Sequence, residues 1–92
     1  MAKFVALLTF GPDQEKRLET RPKHREYLKS LFEAGKIAAS GPFADDSGAL
    51  IIYNAESAEE ARQLLDNDPF TTAGVLANAE LREWNQVLPP QQ

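Results

Sequence analysis

Residues 49 to 60 read A-L-I-I-Y-N-A-E-S-A-E-E and hold two kinds of signal side by side. Ala49 to Tyr53 is a short apolar, β-favouring run, preceded by the turn-rich Ala44-Asp45-Asp46-Ser47-Gly48. Ser57-Ala58-Glu59-Glu60 matches a capping box, in which a serine hydroxyl and a glutamate three residues on satisfy free N–H groups at a helix start. Ala61, Leu64 and Leu65 then recur at helical spacing and supply an inner face. A strand therefore runs almost directly into a helix.

Outward from this point the same pattern appears twice. Upstream, Lys3 to Phe10 reads as a strand ended by Gly11-Pro12, and Asp13 to Glu19 reads as a loop or one loose turn. A helix is predicted from Thr20, with Thr20 as cap and Pro22 in the first turn, where no backbone donor is needed. Tyr27, Leu28, Leu31 and Phe32 give its apolar period, and Gly35 closes it. Lys36 to Ser40 is a second strand, stopped by Gly41-Pro42. Downstream, Asp68-Pro69-Phe70 breaks the second helix and starts a short turn reaching about Gly74. Leu76 to Val87 is a last strand, and residues 89–92 are a frayed tail. The order β-α-β-β-α-β predicts one α+β domain over residues 1–88, a ferredoxin-like sandwich with a four-stranded antiparallel sheet and both helices on one face.

The strands carry a further implication. Val5-Ala6-Leu7-Leu8 and Ala49 to Tyr53 are apolar on both alternating faces, whereas a half-solvated antiparallel strand alternates with polar residues. Two helices cover one face only. A homodimer formed through the other face is the expected solution, with Phe4 and Trp84 as core or interface anchors.

Composition narrows the function classes. A chain of 92 residues has room for one core, and its 42% hydrophobic and 26% charged residues are those of a globular domain. The formal net charge of −4 argues against nucleic-acid and anionic-membrane partners. The apolar N-terminal run is too short for a membrane span or a signal core, so a cytoplasmic protein is expected. There is no cysteine and a single histidine, so thiolate chemistry and a multi-His metal site within one chain are excluded, and neither metal nor cofactor is expected. Asp45-Asp46-Ser47-Gly48 does not have calcium-loop spacing and reads as a turn.

The candidate chemistry centres on that histidine. His24 precedes Tyr27, Leu28 and Leu31 by three, four and seven positions, on the face that packs toward the sheet. In a first turn, the helix dipole and partial burial both favour neutral imidazole, a form able to accept a proton. A core-edge histidine bonded to a backbone carbonyl is the competing reading. Asp68 has two readings as well: a cap for the short turn after it, or a carboxylate that orients the histidine. Ser40 is a strand-end serine bonded to local backbone or a hydrogen-bonding partner for a ligand. Arg17 and Arg21 are solvated surface charge or a pair of cations that draws in an anion.

These residues carry a resemblance. Arg17-Leu18, Arg21-Pro22-x-His24, Ser40-Gly41-Pro42 and Asp68-Pro69-Phe70 with Ala73-Gly74-Val75 follow one another as in the YciI-like (YCII-related) family, which the chain resembles from first strand to last. The resemblance implies a ferredoxin-like dimer related in fold to the muconolactone isomerases, with an active site centred on His24 and Asp68. Ser40 stands nearby. Beside the resemblance, Arg17, Arg21 and Phe70 are expected to contact the substrate. The resemblance also implies a small-molecule substrate, and the family's described activities include dehydrochlorination of a chlorinated hydroxyhydroquinone. The expected function is cofactor-independent proton transfer on a small anionic or phenolic molecule, with chloride elimination preferred. A muconolactone-type isomerase and a non-catalytic ligand-binding module are the alternatives.

Overall fold

A computed structural model describes residues 1–90. Its elements are β1 (Ala2–Phe10), α1 (Gln14–Glu33), β2 (Ile37–Pro42), β3 (Gly48–Ala55), α2 (Ala58–Asp66), a short α3 (Pro69–Thr72) and β4 (Leu76–Trp84). The strands form one antiparallel sheet in the order β2-β3-β1-β4, the ferredoxin-like arrangement.

Alternation along the central strands sorts the two faces. Phe4, Ala6 and Leu8 on β1 stand opposite Tyr53, Ile51 and Ala49 on β3, and all six are buried beneath the helices. Leu28 of α1 and Ala61 and Leu65 of α2 complete that core. Fully burying one such leucine contributes roughly 1.5–3 kcal/mol. Gly48 is required where β3 meets β1, because a Cβ there would collide with the Leu8 carbonyl oxygen. The other face pairs Val5 with Ile52 and Leu7 with Leu50, all left partly or largely exposed, with Trp84 opposite Lys3 at one end.

The capping box forms, with a variation. The Ser57 hydroxyl accepts from the Glu60 N–H at 3.1 Å, while the Glu60 carboxylate reaches back one residue further, to the Glu56 N–H at 2.8 Å. Gly35 takes the left-handed conformation expected after α1.

Several boundaries differ from expectation, β2 among them: it runs through Gly41 and Pro42, where a stop was expected, and both residues pair with β3. α1 begins at Gln14, not Thr20, and its cap is Asp13, whose side chain accepts from the Lys16 N–H at 3.0 Å. Pro22 consequently lies inside the helix, removing the hydrogen bond that would run to the Leu18 carbonyl. Thr20 is no cap either. Its hydroxyl donates back to the Lys16 carbonyl at 2.8 Å, the usual arrangement for a threonine within a helix. β3 continues to Ala55, and β4 ends at Trp84 instead of Val87. Of the expected tail, Pro89 accepts a hydrogen bond from the Gln86 side chain, and residues 91–92 lie outside the described residues.

Candidate active site

The helix α1 presents Arg17, His24 and Leu28 as its buried residues, one stripe of a 20-residue helix. Two of the three are polar, so each needs a partner from elsewhere in the chain. Both partners lie beyond β2 in sequence. His24 Nδ1 is 2.7 Å from Asp68 Oδ1. Arg17 makes a two-pronged pair with Asp46, at 2.9 and 3.3 Å.

Asp68 performs both roles that the sequence left open. As N-cap of α3 it accepts the Phe70 N–H through Oδ1 at 2.9 Å, and the same oxygen meets the imidazole. Pro69 in the first turn of α3 donates no hydrogen bond and holds the backbone that aims this carboxylate. The carboxylate is fully buried, and its second oxygen has no partner among the described residues. A carboxylate accepts only, so Nδ1 carries the hydrogen and Nε2 keeps its lone pair. Nε2 makes no hydrogen bond among the described residues, and His24 lines a cavity.

Placement of α1 changes what surrounds His24. About three turns of helix precede it, so the helix dipole, which acts within the first turn, has no part. What remains is burial and the aspartate. The Phe70 ring lies nearly parallel to the imidazole, 3.8 Å between centroids and 8° between planes, and fixes its orientation. Phe10 meets Phe70 edge-on at 5.7 Å, and the Arg17 guanidinium sits 4.3 Å from the centre of the Phe10 ring. Arg17, Phe10, Phe70 and His24 thus form one continuous wall.

Beneath it lie two tyrosines. The Tyr27 hydroxyl donates to the Leu64 carbonyl at 2.6 Å, and burial, then the Asp68 charge, push its ionisation upward. Tyr53, fully buried with no partner for its hydroxyl among the described residues, is raised far more by burial, then by Asp68 and Tyr27. Both are held as neutral phenols under the carboxylate.

Ser40 reaches this side of the sheet through a bulge. β2 and β3 slip register between Ile37 and Ala39, so that Ile37 opposes Tyr53 and Ser40 opposes Ile51, both on the helical face. Without that extra residue Ser40 would face outward. The cavity, about 200 Å³, is lined by Phe10, Phe70, Leu28, Ser40, Pro42 and Ile51 around His24, with Arg17, Arg21, Arg25 and Asp46 among its polar lining.

His24, Ser40, Arg17, Arg21 and Phe70, the candidate site residues of the sequence, therefore border one cavity, and Asp68 backs it. Arg17 arrives in an unexpected state. It is buried, not solvated, and its charge is met by Asp46. Asp46, Phe10 and Arg25 were not picked out. The signal for Arg25 is its four-residue spacing after Arg17 and Arg21. Asp46 gave none beyond its place in a turn, where it adopts a left-handed backbone with φ of 63°. Among the described residues no group of three or more His, Asp or Glu gathers to hold a metal.

The fold and site define a ferredoxin-like protein with a buried histidine–aspartate pair at a cavity the size of one ring. The chain belongs to the YCII-related domain family, which matches residues 2–85. It is 31% identical over 83 residues to Protein YciI of Escherichia coli O6:H1, covering 79% of this chain and 85% of that one. A protein of Emericella nidulans named derivative of benzaldehyde biosynthesis cluster protein C is 36% identical over 73 residues, covering 67% and 74%. Among solved structures, 5-chloro-2-hydroxyhydroquinone dehydrochlorinase from Burkholderia phenoliruptrix AC1100, complexed with 2,5-dihydroxybenzoquinone, superposes with a TM-score of 0.83 at 28% identity. That match covers 97% of this chain and 99% of the other.

Proposed function

We propose that this chain is a small enzyme, acting in the cytoplasm without a cofactor, that moves protons on a monocyclic phenolic or anionic substrate. Its preferred reaction is elimination of chloride from a chlorinated hydroxyhydroquinone. The observation that carries the reading is the His24–Asp68 pair at 2.7 Å, with Nε2 unbonded among the described residues and His24 bordering a cavity. A dry cavity of about 150 Å³ holds a benzene ring, so the roughly 200 Å³ here suits one ring with its substituents. Likeness to a dehydrochlorinase along nearly the whole chain supports the chemistry.

His24 takes a ring-hydroxyl proton on Nε2, and Asp68 and the Phe70 face stabilise the resulting imidazolium. The proton returns to the ring carbon that bears chlorine, making that carbon tetrahedral. Removal of a second hydroxyl proton then pushes an electron pair through the ring and expels chloride, leaving a quinone. One proton and one chloride leave, and no external oxidant is consumed. His24 is the catalytic residue; Asp68 is a positioning residue. Ser40 hydrogen-bonds a ring oxygen. General acid–base catalysis of this kind supplies about 10²–10⁴-fold, which suits an already activated substrate.

The functional unit in this reading is a homodimer joined through Val5, Leu7, Leu50, Ile52 and Trp84, the apolar outer face of the sheet. Sedimentation at micromolar concentration should give twice the chain mass, and a stable monomer would refute the pairing. The activity test is chloride release from anaerobic 5-chloro-2-hydroxyhydroquinone. Release that disappears in His24→Asn supports the enzyme. Tight binding with no chloride above the uncatalysed rate makes the chain a binding module.

A further inference from the structure

We propose that Arg21 and Arg25 form an anion subsite at the His24 cavity, so that the substrate is a single ring carrying a negatively charged oxygen substituent. This rests on the proposed use of the cavity and adds which face of the ligand the protein reads.

Arg17, Arg21, Arg25 and Lys29 follow one another at four-residue intervals along α1, and the first three border the cavity. Residues so spaced lie on one side of a helix, close enough for like charges to repel. Such repulsion is commonly relieved by an acid at the same spacing. Here the positions three and four residues either side of Arg21 hold Arg17, Leu18, His24 and Arg25. Those around Arg25 hold Arg21, Pro22, Leu28 and Lys29. No acid stands in reach along the helix, although α1 has glutamates at 15, 19, 26 and 33.

The tertiary structure relieves one of the three. Asp46 grips Arg17 with both oxygens, which shows how a carboxylate sits against this row. Arg21 and Arg25 make no ion pair or hydrogen bond among the described residues. In a chain of net charge −4, two unpaired guanidinium groups beside one cavity are an arrangement that a ligand's anion completes. Because Asp46 occupies Arg17, that residue shapes the wall and does not receive the ligand. Apolar lining from Phe10, Leu28, Pro42 and Phe70 accepts the ring.

His24 is the sole histidine, so its imidazole resonances report occupancy without ambiguity. The probes are benzoate and the 2,5-dihydroxybenzoquinone anion, each titrated by calorimetry and by imidazole NMR, with benzamide as the uncharged control. At low salt at least one anion should bind about tenfold or more tightly than benzamide and shift the His24 signals. The advantage should shrink at high ionic strength. Arg21→Gln and Arg25→Gln should each erase most of it, and Arg25→Lys should restore part. Equal binding of anion and benzamide, unchanged preference in both glutamine variants, or no binding of either anion would overturn the subsite. Failure of the enzyme reading looks different: the anions bind and depend on both arginines, yet no chloride is released.

Discussion

α1 and α2 pack on the same sheet face with opposite chemistry. α2 buries Ala61 and Leu65, an apolar stripe that any helix of this fold can use. α1 buries Arg17, His24 and Leu28, two polar groups in a three-residue stripe. An apolar stripe is satisfied by any close-packed surface. A polar one is satisfied only by particular partners, here Asp46 and Asp68, delivered from a loop and a helix cap. α2 holds the fold together, whereas α1 exchanges some of that cohesion for a buried imidazole and a buried guanidinium.

The sharpest test of this contrast is His24→Asn, which keeps a donor toward Asp68 and removes the proton acceptor. Turnover should fall about 10²–10⁴-fold while the melting temperature changes little. Normal turnover would return His24 to a structural role. On the other helix, Leu65→Ala should cost about 2–5 kcal/mol of stability by opening a cavity in the core. Denaturant unfolding measures that loss, and the rate per folded molecule should be unaffected. If activity collapsed faster than folding, the division of labour between the helices would be wrong.

Ion pairs offer a smaller comparison. Asp46→Asn leaves the buried Arg17 guanidinium without a counter-charge and should cost about 1–2 kcal/mol, reduced because Asp46 itself is half exposed. Asp66→Asn breaks a pair with Arg62 that is exposed and 3.9 Å long, and should cost less than about 0.5 kcal/mol. Equal effects would mean that Arg17 is not desolvated.

The smallest effect concerns acid. The Glu60 carboxyl is held below its ordinary 4.5 by the Glu56 N–H, then by the Lys36 ammonium. A carboxyl depressed in the folded state adds stability above its unfolded value and loses it as pH falls through the folded one. Melting temperature should therefore decline below about pH 4.5, and Glu60→Gln should flatten part of that decline. An identical acid profile in the variant would remove Glu60 from the account.

Legibility followed the range of each signal. The capping box at Ser57, the cap at Asp68 and the stop at Gly35 act within a few residues, and all three stand in the structure. The start of α1 misled because Pro22 commonly marks a first turn, while the operative cap, Asp13, follows a Gly-Pro breaker that looked like loop. Ser40 reached the cavity side through one extra residue in β2, and no local pattern announces a bulge. Arg17 looked like surface because its partner sits 29 residues away.

Strand and helix order, and the residue types available for proton transfer, were present in the chain as written, since hydrophobic period and caps operate over a turn or two. Folding alone decided which carboxylate each buried cation or imidazole would meet. Among the described residues it also left Arg21 and Arg25 unmatched. Those outcomes depend on contacts between segments far apart in sequence, where burial strengthens charge interactions and no local preference encodes the pairing.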